Sequence, residues 1–176
     1  MHKIIQKAQS GDRNAFKSLV EMHQAFAYRV AFRLLGHQDD ARDAVQEAFI
    51  RVWKNLHRYD HRARFTTWFY KIIVNLCYDN LKSSNQRYHC SAHQNCVLVD
   101  ESRDLEKIIC NQDLVYWIRY FSEDLPPLQR TVFVLRDLED LSIKEITDII
   151  NISKGSVKSN LYYARRQIRE KMKAML

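Results

Sequence analysis

Three glycines and two prolines in 176 residues leave little material for tight turns. Hairpin-rich folds draw heavily on both residue types, so long helices with few interruptions are expected instead. Long apolar runs are missing too. None approaches the ~18 residues that cross a bilayer, and the opening MHKIIQKAQSGDRNAF has no signal-peptide core. No membrane insertion and a cytoplasmic location are therefore expected. Cysteines are few: Cys77, Cys90, Cys96 and Cys110. In a reducing compartment they are not expected to form structural disulfides. No nucleophile–base pair, glycine-rich phosphate loop or carboxylate dyad stands out, which argues against an enzyme and gives no reason to expect a cofactor.

What is present is charge, and it is segregated. The chain carries 28 Lys and Arg against 21 Asp and Glu, a formal net charge of +7, which favours an acidic partner. Near the C-terminus Lys154, Lys158, Arg165, Arg166, Arg169, Lys171 and Lys173 face only Glu170. Residues 51–71 hold Arg51, Lys54, Arg58, Arg62, Arg64 and Lys71 against Asp60. Residues 39–47 reverse the sign, with Asp39, Asp40, Asp43 and Glu47 against Arg42. Two basic surfaces and one acidic surface follow.

Periodicity divides the chain. Apolar residues from Phe16 to Leu34 recur at helical spacing, with Gly36 as a stop. Asp39 is expected to cap a second helix reaching about Leu56, with an apolar stripe from Ala41 through Phe49, Val52 and Trp53. A third, from about Thr66 to Asn85, buries Trp68, Phe69 and Ile73 and turns Lys71, Asn75, Tyr78 and Lys82 outward. Regular patterning then fails from Ser83 to about Asp104, which reads as a flexible linker. It resumes near Leu105 and is broken by Leu125-Pro126-Pro127. The expected organisation is all-α, with two small helical domains at residues 1–85 and 105–176 and a linker at 86–104.

In the second domain Ser142 and Glu145 form an S-x-x-E capping box. Asn151 suits a left-handed stop, and Ser153 offers a cap for the next helix. Short helix, tight turn and longer helix match helix-turn-helix spacing. At 100° per residue Val157, Leu161, Ala164, Ile168 and Met172 share one sector, while Lys158, Tyr162, Arg165, Arg166 and Arg169 gather beside it with Ser159 at the edge. In such a motif the second helix enters the major groove. The acidic residues of 39–47 exceed what a helix dipole accounts for at its first turn. Asp39, Asp40, Asp43, Gln46 and Glu47 are therefore expected to dock a basic protein partner. The loop HRYDHRAR and the following TTWFYK interleave cations with aromatics, as single-stranded DNA binding requires. His89, Cys90, His93 and Cys96 are metal-capable side chains, but their spacing fits no zinc signature and no metal site is expected.

DDARDAVQEAFIRVW, FTTWFYKIIVNLCYDNLK and LPPLQRTVFVLRDLEDLSIKEITDIINISKGSVKSNLYYARRQIREKM, in that order, resemble extracytoplasmic-function sigma factors of bacterial RNA polymerase. The resemblance implies a region 2 domain (σ2) and a region 4 domain (σ4) joined by a linker. It implies that the DDARDAVQEAF helix grips the β′ clamp helices of core RNA polymerase, with the β flap as a further contact. It implies −10 recognition around Asn75, with Arg62, Arg64, Trp68, Lys71 and Lys82 nearby and the HRYDHRAR loop holding a flipped base. Lys158, Ser159, Tyr162, Tyr163, Arg165 and Arg166 fall on the helix that reads the −35 element. An anti-sigma factor is a further implied partner. Two other readings stand beside it: a helix-turn-helix regulator without polymerase docking, and a metal-responsive interaction protein centred on the linker.

Overall fold

The computed structural model describes residues 1–62, 64–90, 117–118 and 120–175, with side chains in the long central helix described through Ser83. All regular structure among them is helical. Helix α1 (His2–Gln9) precedes α2 (Arg13–Leu35), whose first turn is capped by Asp12 Oδ1, accepting from the N–H groups of Asn14 and Ala15. Gly36 ends α2 at φ 83°, a conformation that costs glycine little. Helix α3 (Gln38–Asn55) begins one residue before the expected cap. The cap position falls on His37, which is extended and makes no side-chain cap bond. Asp39 lies inside the first turn, where its charge meets the dipole instead.

Helix α4 (Phe65–Cys90) continues beyond residue 85, where the first domain was expected to end. Helix α5 (Pro127–Phe133) starts with proline inside its first turn, where no N–H is needed, and runs into a π-helical turn at Val134–Leu138. Then come α6 (Ile143–Ile150) and α7 (Lys154–Met175). The α6 capping box is formed as expected, and Asn151 ends α6 at φ 55°, ψ 48°. Ser153 Oγ accepts from the N–H of Ser156 at 3.1 Å. Most of the proposed linker, the start expected at Leu105, and His93, Cys96 and Cys110 lie outside the described residues, as do the side chains of His89 and Cys90.

Alanines at the α2–α3 crossing (Ala27, Ala31, Ala41, Ala44 and Ala48) are buried and permit close approach. Leu19, Val30, Leu34, Val52, Phe69 and Ile73 fill the space they leave. Val74 and Cys77, absent from the expected stripe, are also buried. In the same continuous core, Val132, Val134, Leu135, Ile146, Val157 and Ala164 hold α5, α6 and α7 together. Helix α4 packs against α5 and α6, bringing the two units into contact.

Candidate nucleic-acid interface

Helix α7 sorts its side chains as the wheel predicts. Val157, Leu161, Ala164 and Ile168 are buried, while Lys158, Ser159, Tyr162, Tyr163, Arg165 and Arg166 are exposed. Two of the arginines already have partners. Arg165 Nε donates to Asp137 Oδ2 at 2.8 Å and its Nη2 to Asp137 Oδ1 at 2.5 Å. That hydrogen bonding raises the guanidinium pKa, against a smaller opposing effect of burial. Arg166 Nε donates to Glu170 Oε1 at 2.8 Å, one turn along. The side chains of Lys158 and Ser159 are exposed and make no hydrogen bond or ion pair to a described residue. Tyr162 and Tyr163 present rings 5.5 Å apart at 74°. The surface therefore offers the ammonium of Lys158, a hydroxyl and two phenols, while the guanidinium groups of Arg165 and Arg166 are already paired.

On α4, Lys71 and Lys82 are exposed and Asn75 is half-buried. The Asn75 amide makes no hydrogen bond to a described residue, so its donor and acceptor stay available. Lys82 Nζ lies 4.3 Å from the Tyr78 ring centroid. Trp68 is half-buried against Tyr59 (5.3 Å) and Phe65 (5.9 Å); one edge packs the core and the other meets solvent. In the loop, Arg62 pairs with Asp60 at 3.1 Å and His61 has φ 60°. Gln9 of α1 fastens this loop through Nε2, which donates to the carbonyls of Leu56 and Tyr59 at 3.0 and 2.9 Å. Sequence periodicity did not single out α1; its only cue is Ile4-Ile5 followed by Ala8.

The acidic residues lie along one side of α3. Asp39 pairs with Arg42 (3.3 Å) and Glu47 with Arg51 (2.8 Å), whereas Asp40 and Asp43 stand free of described partners. Beside them, α2 and α3 leave an open groove of about 970 Å³ lined by Phe16, Val20, Tyr28, Phe49, Ile50 and Trp53, with Gln46 at its margin. Trp53 was expected in the core stripe. It is 39% exposed and leans on Phe16 at 4.7 Å, forming a wall of this groove.

Residues 19–87 match Sigma-70 region 2, and residues 117–168 match Sigma-70, region 4. The ECF RNA polymerase sigma factor SigW of Bacillus subtilis is 30% identical over 179 residues, spanning 97% of this chain and 96% of that protein. This chain belongs to the extracytoplasmic-function sigma factors. The ECF RNA polymerase sigma-E factor of Escherichia coli K12 is 27% identical over 181 residues, covering 98% of this chain and 94% of its own length. Among solved structures, the sigma factor RpoE crystallised with the anti-sigma factor NepR from Bartonella quintana shares the fold, with TM-score 0.65, 18% identity and coverage of 90% of this chain and 96% of that one. The protein is thus an alternative sigma factor, a non-enzymatic subunit that directs transcription initiation. That sets aside the regulator without polymerase. Among the described residues no helix is long and apolar enough to cross a membrane.

Proposed function

We propose that this sigma factor docks on core RNA polymerase through α3, reads duplex −35 DNA with α7 and captures the −10 strand with α4 and the HRYDHRAR loop. In this assignment residues 1–85 are σ2, 86–104 the linker and 105–176 σ4. Asp39, Asp40, Asp43, Gln46 and Glu47 meet the β′ clamp helices, and σ4 meets the β flap. Arg62, Arg64, Trp68, Lys71, Asn75 and Lys82 serve −10. Lys158, Ser159, Tyr162 and Tyr163 touch −35 DNA, with Arg165 and Arg166 on the same face. An anti-sigma factor is a further proposed partner, consistent with the complex in which the Bartonella quintana sigma factor was solved. Its place of action is the cytoplasm.

The observation that carries the docking assignment is the pairing of free carboxylates, Asp40 and Asp43, with an adjoining apolar groove. A cationic, apolar-ridged helix pair would find both steering charge and contact area there. Replacing Asp43 and Glu47 by Lys together is expected to abolish binding to purified core polymerase. Helical content should stay near wild type, because neither side chain is in the core. Unchanged affinity in a fluorescence-anisotropy titration with core enzyme would move the docking surface elsewhere.

A further inference from the structure

The HRYDHRAR loop begins on a 3-10 turn at Leu56–Arg58, and no helix or strand ladder runs through residues 59–62. Local ties hold part of it. Tyr59 N–H donates to Leu56 O at 3.1 Å, and Asp60 Oδ1 accepts from the N–H of Arg62 at 3.1 Å. A further anchor comes from the far end of the sequence. Gln9, in the last turn of α1, donates from Nε2 to Leu56 O at 3.0 Å and to Tyr59 O at 2.9 Å, one carbonyl on each side of the turn. Both amide N–H groups are then in use, so Oε1 is left to accept from His61 Nε2 at 3.3 Å. The whole amide faces the loop and has no donor left for DNA. Helix α1 is itself firmly seated, with Ile5 and Ala8 buried.

The carbonyl that Gln9 holds belongs to the residue on which the loop's rings converge. The Tyr59 side chain is buried, 5.3 Å from Trp68, 5.8 Å from Phe65 and 4.6 Å from His61. His61 stands at φ 60° and meets His2 of α1 edge-on at 4.6 Å. Fixing Tyr59 therefore fixes the surface behind Trp68 on one side and the backbone leading to Arg62 on the other. A flexible loop that must order when it binds loses affinity to the lost conformational freedom, and a loop held in shape beforehand avoids that loss.

We propose that Gln9 is a positioning residue for strand capture: it holds the HRYDHRAR loop in the shape that receives the unstacked base, and sets affinity for that base without touching it. The inference rests on the strand-capture reading given above.

Two variants test it in the full chain. Gln9→Met keeps the length of the side chain and removes its hydrogen bonds; Gln9→Glu keeps the shape and turns a carboxylate toward two carbonyls. In the free protein, backbone hydrogen exchange at residues 57–62 should quicken by about tenfold in both, with exchange at residues 69–77 unchanged. Binding is then measured with holoenzyme assembled from core polymerase and each protein. The probes are single-stranded non-template oligonucleotides carrying the −10 sequence of a start site mapped with this protein, intact or with one base removed at each position in turn. Wild type should lose most affinity when the captured base is removed. Gln9→Met should bind the intact strand about five- to tenfold more weakly, yet match wild type on the strand lacking that base. Gln9→Glu should be weaker still on the intact strand. Duplex −35 binding, core affinity and circular dichroism should not change in either variant. Unchanged loop exchange, wild-type affinity for the intact strand, or equal losses on intact and base-deleted strands would each overturn the proposal. So would a parallel loss of −35 binding or helicity, which would make Gln9 a purely structural residue. If wild-type holoenzyme binds intact and base-deleted strands alike, the strand-capture reading itself falls and the proposal with it. That outcome is recognised in wild type alone, before any variant is compared.

Discussion

His23 is 6% exposed, its Nε2 has no hydrogen-bond partner, and its ring lies 5.3 Å from Phe65 and 6.0 Å from Phe69. Burial lowers its pKa below the ordinary value of 6.5, so the native state holds it neutral. The unfolded chain takes up the proton first as pH falls. The stabilisation is full above the unfolded pKa and is lost as pH drops through 6.5 toward the depressed native value, at no more than about 1.4 kcal/mol per pH unit. Urea unfolding at pH 7.5 and 5.5 should show a pH loss in wild type that is smaller in His23→Leu. Equal losses in both proteins would mean that other groups set the acid sensitivity. Nothing in the sequence marked His23, because a histidine on an apolar stripe looks the same whether or not its nitrogens find partners. The outward placement of Lys158 was legible, since exposure on a polar helix face follows from periodicity; Asn75 lies on such a face but is half-buried.

The ion pair between Asp137 and Arg165 joins two elements, the π turn after α5 and the middle of α7. Sequence placed Arg165 on the exposed face of α7 but could not see Asp137, 28 residues away. If Arg165 acts through this pair, Asp137→Ala and Arg165→Ala should weaken −35 binding to similar extents. The double variant should then lose little more than either single one. The pair is half-exposed, so each change should cost stability by at most about 1 kcal/mol. Lys158→Ala should leave stability unchanged, weaken all sequences alike and flatten the salt dependence. Additive losses for Asp137→Ala and Arg165→Ala would instead assign Arg165 a direct contact with a base. The elements most legible in sequence were those with local chemistry: the Ser142–Glu145 box, the Asn151 stop and the Gly36 stop. The expected cap at Asp39 failed because an N-cap also needs an extended backbone, and that conformation falls on His37. The groove beside α3 escaped because a helical stripe does not tell a core tryptophan from one that lines an unfilled surface.

Three surfaces of one chain, acidic on α3 and proposed to meet DNA on α4 and α7, were readable from charge blocks and family motifs. The contact between the two units was not. Glu139 and Arg33 lie 106 residues apart with no pattern linking them, and the faces that meet are small and mixed in polarity. In the proposed function this sigma factor docks on polymerase and then holds bases that have left the stack, at an unstacking cost of a few kcal/mol offset by stacking and hydrogen bonds. The unpartnered amide of Asn75, beside Lys71 and Lys82, is suited to that last step. Permanganate footprinting of thymines near −10, with core polymerase and this chain on a duplex promoter, tests strand capture most directly. Wild type should make those thymines reactive. Asn75→Ala should bind core and −35 DNA normally, leave the thymines unreactive on duplex promoter, and transcribe from a pre-melted template. Normal thymine reactivity in the Asn75→Ala complex would contradict the assignment of strand capture to α4.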